Sequence, residues 1–259
     1  MGELISDDGA VTGARSGAGR DLVLVHSLLA DRHAFDAIVP ELSRSFRVTQ
    51  INLPGFHGSK PVPATIEAYV DAIRAAFDSF GITRDAILLG NGFGGTMALG
   101  FALNHPNRIA KLILADVAAG FPEPGRQAFA VMRERVAQGG LAAIADIAAN
   151  RVFHSAYLAA HPNAIAERRA VLLAIDPQAF QAACSILENN DLTPRLAHLS
   201  IPTLVICGEL DQVTPPALNK IIAEQSSDAH YFELPGCGHC PPLEQPETFL
   251  RAIRDFIRP

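Results

Sequence analysis

The stretch Gly90-Asn91-Gly92-Phe93-Gly94-Gly95 decides the architecture of this chain. An apolar run, Ala86-Ile87-Leu88-Leu89, precedes it, and a run of small residues, 96–102, follows it. A buried strand, a sharp glycine-rich turn and a helix in this order are the setting of the G-x-S-x-G turn, which presents a reactive serine above a sheet. Both glycines of that motif are present, and Gly92 occupies the serine position. The stretch therefore predicts an active-site turn without its nucleophile.

Short apolar runs alternate with amphipathic stretches on both sides of this turn. Such alternation predicts an α/β fold: a mostly parallel sheet flanked by helices on both faces. The expected strands are Glu3–Ser6, Ala10–Arg15, Asp21–His26, Arg47–Leu53, 86–90, Lys111–Asp116, Thr203–Gly208 and His230–Leu234. The expected helices of this core are Asp31–Ser43, 65–80, 95–105, 216–225 and Gln245–Ile257.

Residues 120–196 interrupt the alternation with helical patterns and no strand pattern. A helical insertion between two parallel strands predicts a lid over the carboxyl edge of the sheet, where open α/β sheets bind ligands. We therefore divide the chain into a core, residues 1–119 and 197–259, and a lid, residues 120–196, inserted after the sixth strand.

Composition narrows the class of protein. The 259 residues, 49% of them hydrophobic, suffice for one α/β domain. A net charge of −6 argues against nucleic acid or an anionic membrane as the main partner. No apolar run approaches the roughly 18 residues of a membrane span. Without a secretory h-region or an evident disulfide framework, we expect a cytoplasmic protein acting on a small molecule, and a homodimer stays open.

Four loops fall at the same edge of the predicted sheet. They are His26-Ser27-Leu28, the glycine-rich turn, Glu209-Leu210-Asp211 and Gly236-Cys237-Gly238-His239. Acyl transfer needs a nucleophile, a base, a group that orients the base, and N–H donors for the oxyanion. The chain order of nucleophile position, acid and histidine fits that chemistry.

On these residues the chain resembles the α/β-hydrolases over essentially its full length. The resemblance implies that Asp211 is the acid, that His239 is the base, and that the backbone N–H groups of Leu28 and Phe93 form the oxyanion hole. Position 92, here Gly92, would carry the nucleophile.

The chain also departs from the pattern of that family. Ser27 stands where a glycine usually follows the histidine of the oxyanion loop. Asn52-Leu53-Pro54-Gly55-Phe56-His57-Gly58-Ser59 resembles the D-x-x-G-x-G-x-S turn, with departures at Asn52 and His57.

Two branches of the family look similar. The run from Asp176 to Phe180 and the stretch around Thr214-Pro215-Pro216 resemble 3-oxoadipate enol-lactonases. The Gly90-Asn91 opening resembles carbon–carbon hydrolases of aromatic ring cleavage. Those usually carry an aromatic residue after the histidine, where this chain has Cys240, so a small ester, enol-lactone or related carbonyl compound is the expected substrate.

Further residues are candidates for other roles. Asp116, at the end of a strand, is the alternative acid. Arg168 or Arg169 could pair with a substrate carboxylate in bidentate fashion. The full set of expected substrate-binding residues is His26, Ser27, Asn91, Arg168 and Arg169. No cofactor or metal is expected, because Cys237-Gly238-His239-Cys240 lacks a second ligand pair.

The glycine at position 92 leaves the mechanism open. Losing such a nucleophile can lower kcat by about 10⁶, and no replacement is evident, since Ser27 lies on the oxyanion loop and Cys237 on the histidine loop.

Three hypotheses follow from the glycine. In the first, the chain is an inactivated variant of a serine-bearing enzyme. Second, it is an enzyme in which His239 activates water in the space left by the serine side chain, or in which a His–Asp dyad performs lyase or cofactor-free oxygenase chemistry. Third, it is a ligand-binding protein without turnover.

Overall fold

The computed structural model describes residues 2–258, and eight strands and eleven α-helices lie within that range. The strands are β1 (Gly2–Ile5), β2 (Thr12–Ser16), β3 (Arg20–Val25), β4 (Phe46–Asn52), β5 (Ala86–Asn91), β6 (Ile109–Ala115), β7 (Thr203–Gly208) and β8 (Ala229–Leu234). The helices are α1 (Val39–Leu42), α2 (Ile66–Ser79), α3 (Phe93–Asn104), α4 (Glu123–Gly139), α5 (Ala145–Val152), α6 (Ser155–Ala160), α7 (Ala164–Leu173), α8 (Pro177–Asn189), α9 (Pro216–Gln225), α10 (Pro241–Glu244) and α11 (Pro246–Ile257).

All eight strands form one sheet in the order β1-β2-β4-β3-β5-β6-β7-β8. β1 and β2 form an antiparallel hairpin, and β2 pairs antiparallel with β4. The remaining neighbours pair in parallel. Consequently the carboxyl ends of β3, β5, β6, β7 and β8 all reach the same edge of the sheet, and the loops of interest start there.

The sheet separates two apolar cores, because successive side chains of a strand point to opposite faces. In β3, Val23 and Val25 belong to the core under α2, α3 and α9. Leu22 and Leu24 belong to the core under α1 and α11. Strands buried on both faces are the reason that these runs are continuously apolar rather than alternating.

The region predicted as one helix at Asp31–Ser43 is instead two short helices. A 3₁₀ helix covers Arg32–Phe35, and α1 follows it. Pro40 lacks the N–H that a continuous helix would need and is compatible only with the first turn of a helix. It lies in the first turn of α1, which explains the break.

Between β6 and β7 the described chain contains α4 to α8 and no named strand. α4 packs along α8, and α5 along α7. No single helix within residues 2–258 has the length and hydropathy to cross a membrane; taken together, α7 and α8 reach these criteria by length and composition, but they meet at 101°.

Candidate active site

The glycine-rich turn has the geometry of a strained strand-to-helix turn. Gly92 lies between β5 and α3 with φ 54° and ψ −121°, a conformation that costs a residue with a side chain about 1–3 kcal/mol. Gly94 approaches the backbone of β3 so closely that a Cβ would overlap the carbonyl oxygens of Val25 and His26. These glycines therefore bring the first turn of α3 against the loop that carries Ser27.

His239 and Asp211 meet in the interior at the same edge of the sheet. Nδ1 of His239 lies 2.9 Å from Oδ2 of Asp211, and both side chains are buried. Thr214 joins them: its hydroxyl donates to Oδ2 of Asp211 at 2.6 Å and lies 3.3 Å from Nδ1 of His239. Because Asp211 can only accept when ionised, Nδ1 carries the proton and Nε2 is left as the basic nitrogen.

The surroundings of Asp211 favour its ionised form. Burial acts to raise the pKa of Asp211, but the charge and hydrogen bond of His239 and the donors of Thr214 and Val213 outweigh it and hold the pKa below its usual range. The backbone N–H groups of Val213 and Thr214 donate to Oδ1 at 2.7 and 3.1 Å. The carboxylate is thus fixed in position as well as in charge.

Asp116, the alternative acid, lies behind Asp211 rather than beside His239. Its Oδ1 accepts from the backbone N–H of Gly208 at 2.8 Å, and its side chain is buried. Burial and the nearby charge of Asp211 raise the pKa of Asp116 well above the ordinary value. Asp116 does not contact His239, whereas Asp211 lies 2.9 Å from its Nδ1, so the geometry favours Asp211 as the group that orients the imidazole.

Two side chains hold the histidine loop: Glu244, whose role the sequence did not indicate, and Asn91, which we expected to bind the substrate. The carboxylate of Glu244 accepts from the backbone N–H groups of Gly238 and Cys240, at 3.1 and 3.2 Å, and so brackets His239 on both sides. The side-chain amide of Asn91 donates to the carbonyl oxygens of Ala115 and His239 at 2.9 and 3.2 Å. Asn91 therefore positions the loop and is not in the wall of the cavity.

His26 has a comparable positioning role. Its Nε2 accepts from the backbone N–H of Leu53 at 3.1 Å, so Nδ1 bears the proton that it donates to the carbonyl oxygen of Ser27 at 2.8 Å. Burial lowers the pKa of His26 to about 4, which keeps the ring neutral. Although we expected His26 among the substrate-binding residues, the structure uses both of its nitrogens to fix the oxyanion loop.

A cavity of about 450 Å³ opens in front of His239, within the usual range for small-molecule sites. Ser27, Leu28, Gly92, Phe93 and His239 form its inner end. The backbone N–H groups of Leu28 and Phe93 have no acceptor among the described residues. Two free N–H donors beside the base are the arrangement required of an oxyanion hole.

The helical insertion supplies much of the remaining wall, which is mainly apolar. Its lining residues include Phe121, Phe129, Met132, Val152 and Leu187. Arg151 and Arg168 are the charged residues of the wall, and no Asp or Glu is among the lining residues of the described chain. The cavity therefore presents positive charge to its contents.

The two candidate arginines of the sequence differ in position. Arg168 is buried in the cavity wall, where it donates to the carbonyl oxygen of Leu29 at 2.8 Å. Arg169 lies on the surface and forms an ion pair with Asp146 at 3.2 Å. Of the two, the structure brings only Arg168 to the site.

The space of the missing serine side chain is occupied. A Cβ built on Gly92 would overlap Oγ of Ser27 and would lie 3.0 Å from its Cβ and 3.1 Å from Nε2 of His239. The expectation that Ser27 lies away from the apex of the turn is therefore wrong: its side chain reaches the apex at Gly92. Ser27 and Gly92 are sterically complementary.

One cluster has the spacing of a metal site: ligand atoms of Asp116, Cys207 and Asp211 lie within 4.8 Å of one another. Burial raises the pKa values of the Cys207 thiol and of the Asp116 carboxyl, and Asp211 already accepts from Thr214 and His239. Metal sites need deprotonated ligands, so this cluster is poorly suited to bind a metal ion.

Comparison with known proteins agrees with this geometry. The model of the alpha/beta hydrolase family matches residues 22–252. The chain belongs to the alpha/beta hydrolase family, which confirms the predicted fold class and the resemblance drawn from the motifs.

Similar proteins add detail. An esterase of Thermogutta terrifontis, solved with malate bound, is 31% identical with a TM-score of 0.89, over 99% of this chain and 97% of that chain. The enol-lactonase of Burkholderia xenovorans LB400 is 26% identical with a TM-score of 0.92, over 99% of both chains. A pimeloyl-acyl-carrier-protein methyl ester esterase of Neisseria meningitidis is 29% identical, over 93% of this chain and 94% of that protein. The chain is therefore an esterase-like member of the family.

Proposed function

We propose that this protein hydrolyses a small carboxylic ester or lactone, with His239 as the general base and Asp211 as the group that orients it. The observation that carries the proposal is the buried pair itself, joined at 2.9 Å, with the free ring nitrogen Nε2 directed at the cavity end that holds two unused N–H donors. A base of this kind removes a proton from the attacking group and returns it to the leaving group.

Electrostatics supports an ester hydrolysis in particular. Attack on a carbonyl carbon creates an oxyanion, and donors that are already in place at an enclosed site stabilise it most effectively. The N–H groups of Leu28 and Phe93 supply these donors. In the same step the imidazole becomes positively charged, and the ionised Asp211 stabilises that charge.

The wall of the cavity favours a substrate with an anionic group away from the reacting ester. Arg168 is buried there, and no acidic side chain of the described chain lines the cavity. Among related proteins, one esterase was solved with malate, a small dicarboxylic acid, bound, and another is named an esterase of the methyl ester of pimeloyl-acyl-carrier protein. We assign the helical insertion the role of a lid, since it supplies the apolar part of the wall.

The experiment is a turnover assay on methyl and p-nitrophenyl esters of mono- and dicarboxylic acids and on small lactones. We expect the wild-type protein to hydrolyse members of the panel and His239→Ala to lose at least about 10³-fold in kcat/KM. His198→Ala, which changes an exposed histidine, is the matched control. An inert wild-type protein, or equal rates in the wild type and His239→Ala, would refute the proposal.

A further inference from the structure

The described residues offer few nucleophiles to the base. The hydroxyl and thiol groups that line the cavity belong to Ser27, Thr96, Thr214 and Cys240. The hydroxyl of Thr96 donates to the carbonyl oxygen of Ala118 at 3.2 Å, and that of Thr214 donates to Asp211 at 2.6 Å. Both threonine hydroxyls are therefore engaged in positioning contacts.

Cys240 is a poor candidate as well. Burial raises the pKa of its thiol above the usual value, so the reactive thiolate is scarce at neutral pH. Its thiol is also engaged, since it donates to the side-chain oxygen of Asn91 at 4.0 Å.

Ser27 differs from all three. Its Oγ has no hydrogen-bond partner within residues 2–258, although the residue is buried and lines the cavity. It borders the position that a side chain at residue 92 would take, and Nε2 of His239 lies 3.1 Å from the same position. The free hydroxyl and the basic nitrogen thus face one small volume at the end of the cavity.

We infer that Ser27 is the nucleophile of this protein, so that the reactive hydroxyl is presented by the oxyanion loop and Gly92 provides the room for it. The inference rests on the proposed ester hydrolysis. It also replaces the water-based mechanism considered above, because the space expected to hold a water holds the hydroxyl of Ser27.

The chemistry balances without further reactants. Oγ of Ser27 attacks the carbonyl carbon while its proton moves to Nε2 of His239, and the carbonyl oxygen becomes an oxyanion. Collapse of this intermediate breaks the ester bond, and the leaving alkoxide takes the proton from His239. Water then attacks the acyl-Ser27 with His239 as the base, which releases the acid and restores the hydroxyl.

The oxyanion hole keeps its logic in this arrangement. In this fold one donor N–H comes from the residue after the nucleophile and the other from a second loop. With Ser27 as the nucleophile, Leu28 is the residue after it, and Phe93 of the glycine-rich turn supplies the second N–H. When the nucleophile is at position 27 and not at position 92, Leu28 and Phe93 exchange roles as donors, and both N–H groups stay in place.

Covalent labelling tests the inference directly. We expect a fluorophosphonate reagent to modify wild-type protein once, with loss of fluoride and a new oxygen–phosphorus bond, and peptide mass spectrometry to locate it at Ser27. Ser27→Ala should escape labelling and lose on the order of 10⁴–10⁶-fold in kcat. Ser226→Ala, a serine outside the site whose hydroxyl donates to Ile222, should be labelled and active like the wild type.

The outcomes separate this inference from the proposed function. Turnover that requires His239 but persists in Ser27→Ala, or a label at any other residue, would overturn the role of Ser27 and leave ester hydrolysis standing. A wild-type protein inert to both the esters and the reagent would overturn both. Ser27→Gly, with its thermal unfolding measured, guards against a folding defect of the alanine variant and should be equally inactive.

Discussion

The two sides of the active site keep the pattern of the family to different degrees. On one side, Asp211 and His239 stand where the family motif places the acid and the base, and their contact at 2.9 Å follows from residues that match the motif. On the other side, the glycine-rich turn and the oxyanion loop both depart from the motif, at Gly92 and Ser27. The two departures meet in space, so each one explains the other.

The position of Ser27 bears on how a site with glycine at the nucleophile position could still act on an ester. Position 92 alone suggests an inactive protein, because the turn lacks a hydroxyl. When the neighbouring loop is included, the site again contains one serine hydroxyl, that of Ser27, as in the family motif with serine at position 92. In this structure Oγ of Ser27 lies where it would overlap a Cβ at residue 92.

On the side that keeps the family motif, the largest effect is expected from the acid. Asp211→Asn should lower kcat by about 10³–10⁴-fold, because the amide cannot stabilise the imidazolium and favours the wrong tautomer of His239. Asp116→Asn is the matched comparison. Since the carboxyl of Asp116 does not contact His239 and accepts from the backbone N–H of Gly208 instead, kcat should fall by less than about 10-fold. Steady-state kinetics of both variants measures the two losses in kcat. A larger loss in Asp116→Asn than in Asp211→Asn would make Asp116 the acid.

A smaller effect is expected where His26 braces the oxyanion loop. Burial lowers the pKa of His26 to about 4 in the folded state, against about 6.5 when unfolded. The unfolded state therefore binds the proton first, and stability is lost as the pH falls from about 6.5 towards 4. Between pH 7.5 and 5.0 this amounts to about 2 kcal/mol.

Urea unfolding at these two pH values measures the difference. His26→Gln should remove most of this difference in the free energy of unfolding, whereas His198→Gln, at an exposed histidine, should keep the wild-type difference. An equal difference in wild type and His26→Gln would show that the ring is not held neutral, and the bracing of the loop would need another explanation.

The smallest effect concerns the cavity wall. Arg168→Gln should raise KM about 10-fold for esters that carry a carboxylate, because one charge-assisted hydrogen bond contributes about 1.5 kcal/mol. Neutral esters of the same length should change less. Arg169→Gln, on the surface beside Asp146, is the control. A uniform loss on charged and neutral esters would mean that Arg168 serves the wall and not the substrate.

Much of the fold was predictable, because strands buried on both faces are continuously apolar and the glycine-rich turn is a strong local signal. The positions of the strands along the chain and of the helical stretch between β6 and β7 follow from these features, whereas the order of the strands in the sheet was not predicted. The break at Pro40 was missed because the apolar pattern continues across it. The start of α8 follows from its N-cap: the carboxylate of Asp176 accepts from the N–H groups of Gln178 and Ala179 at 2.8 and 3.0 Å.

The meeting of Asp211 and His239 was predictable from the sequence, because single motifs carry that information. Asp211 and His239 each sit in such a motif. Thr214 did not stand out, since a hydroxyl in a loop is a weak signal until its distance to the carboxylate is known. The complementarity of Ser27 and Gly92 depends on how closely two distant loops approach each other, and sequence spacing does not encode that distance.

A reciprocal exchange of residues 27 and 92 decides whether Ser27 is the nucleophile, with kcat/KM on one ester measured for the wild type, Gly92→Ser, Ser27→Gly and the double variant. We predict that Ser27→Gly is inactive, that Gly92→Ser is slower and less stable because its side chain overlaps Ser27, and that the double variant recovers at least about 100-fold over Ser27→Gly. Wild-type activity in Ser27→Gly, or a double variant no faster than Ser27→Gly, would show that Ser27 is not the nucleophile.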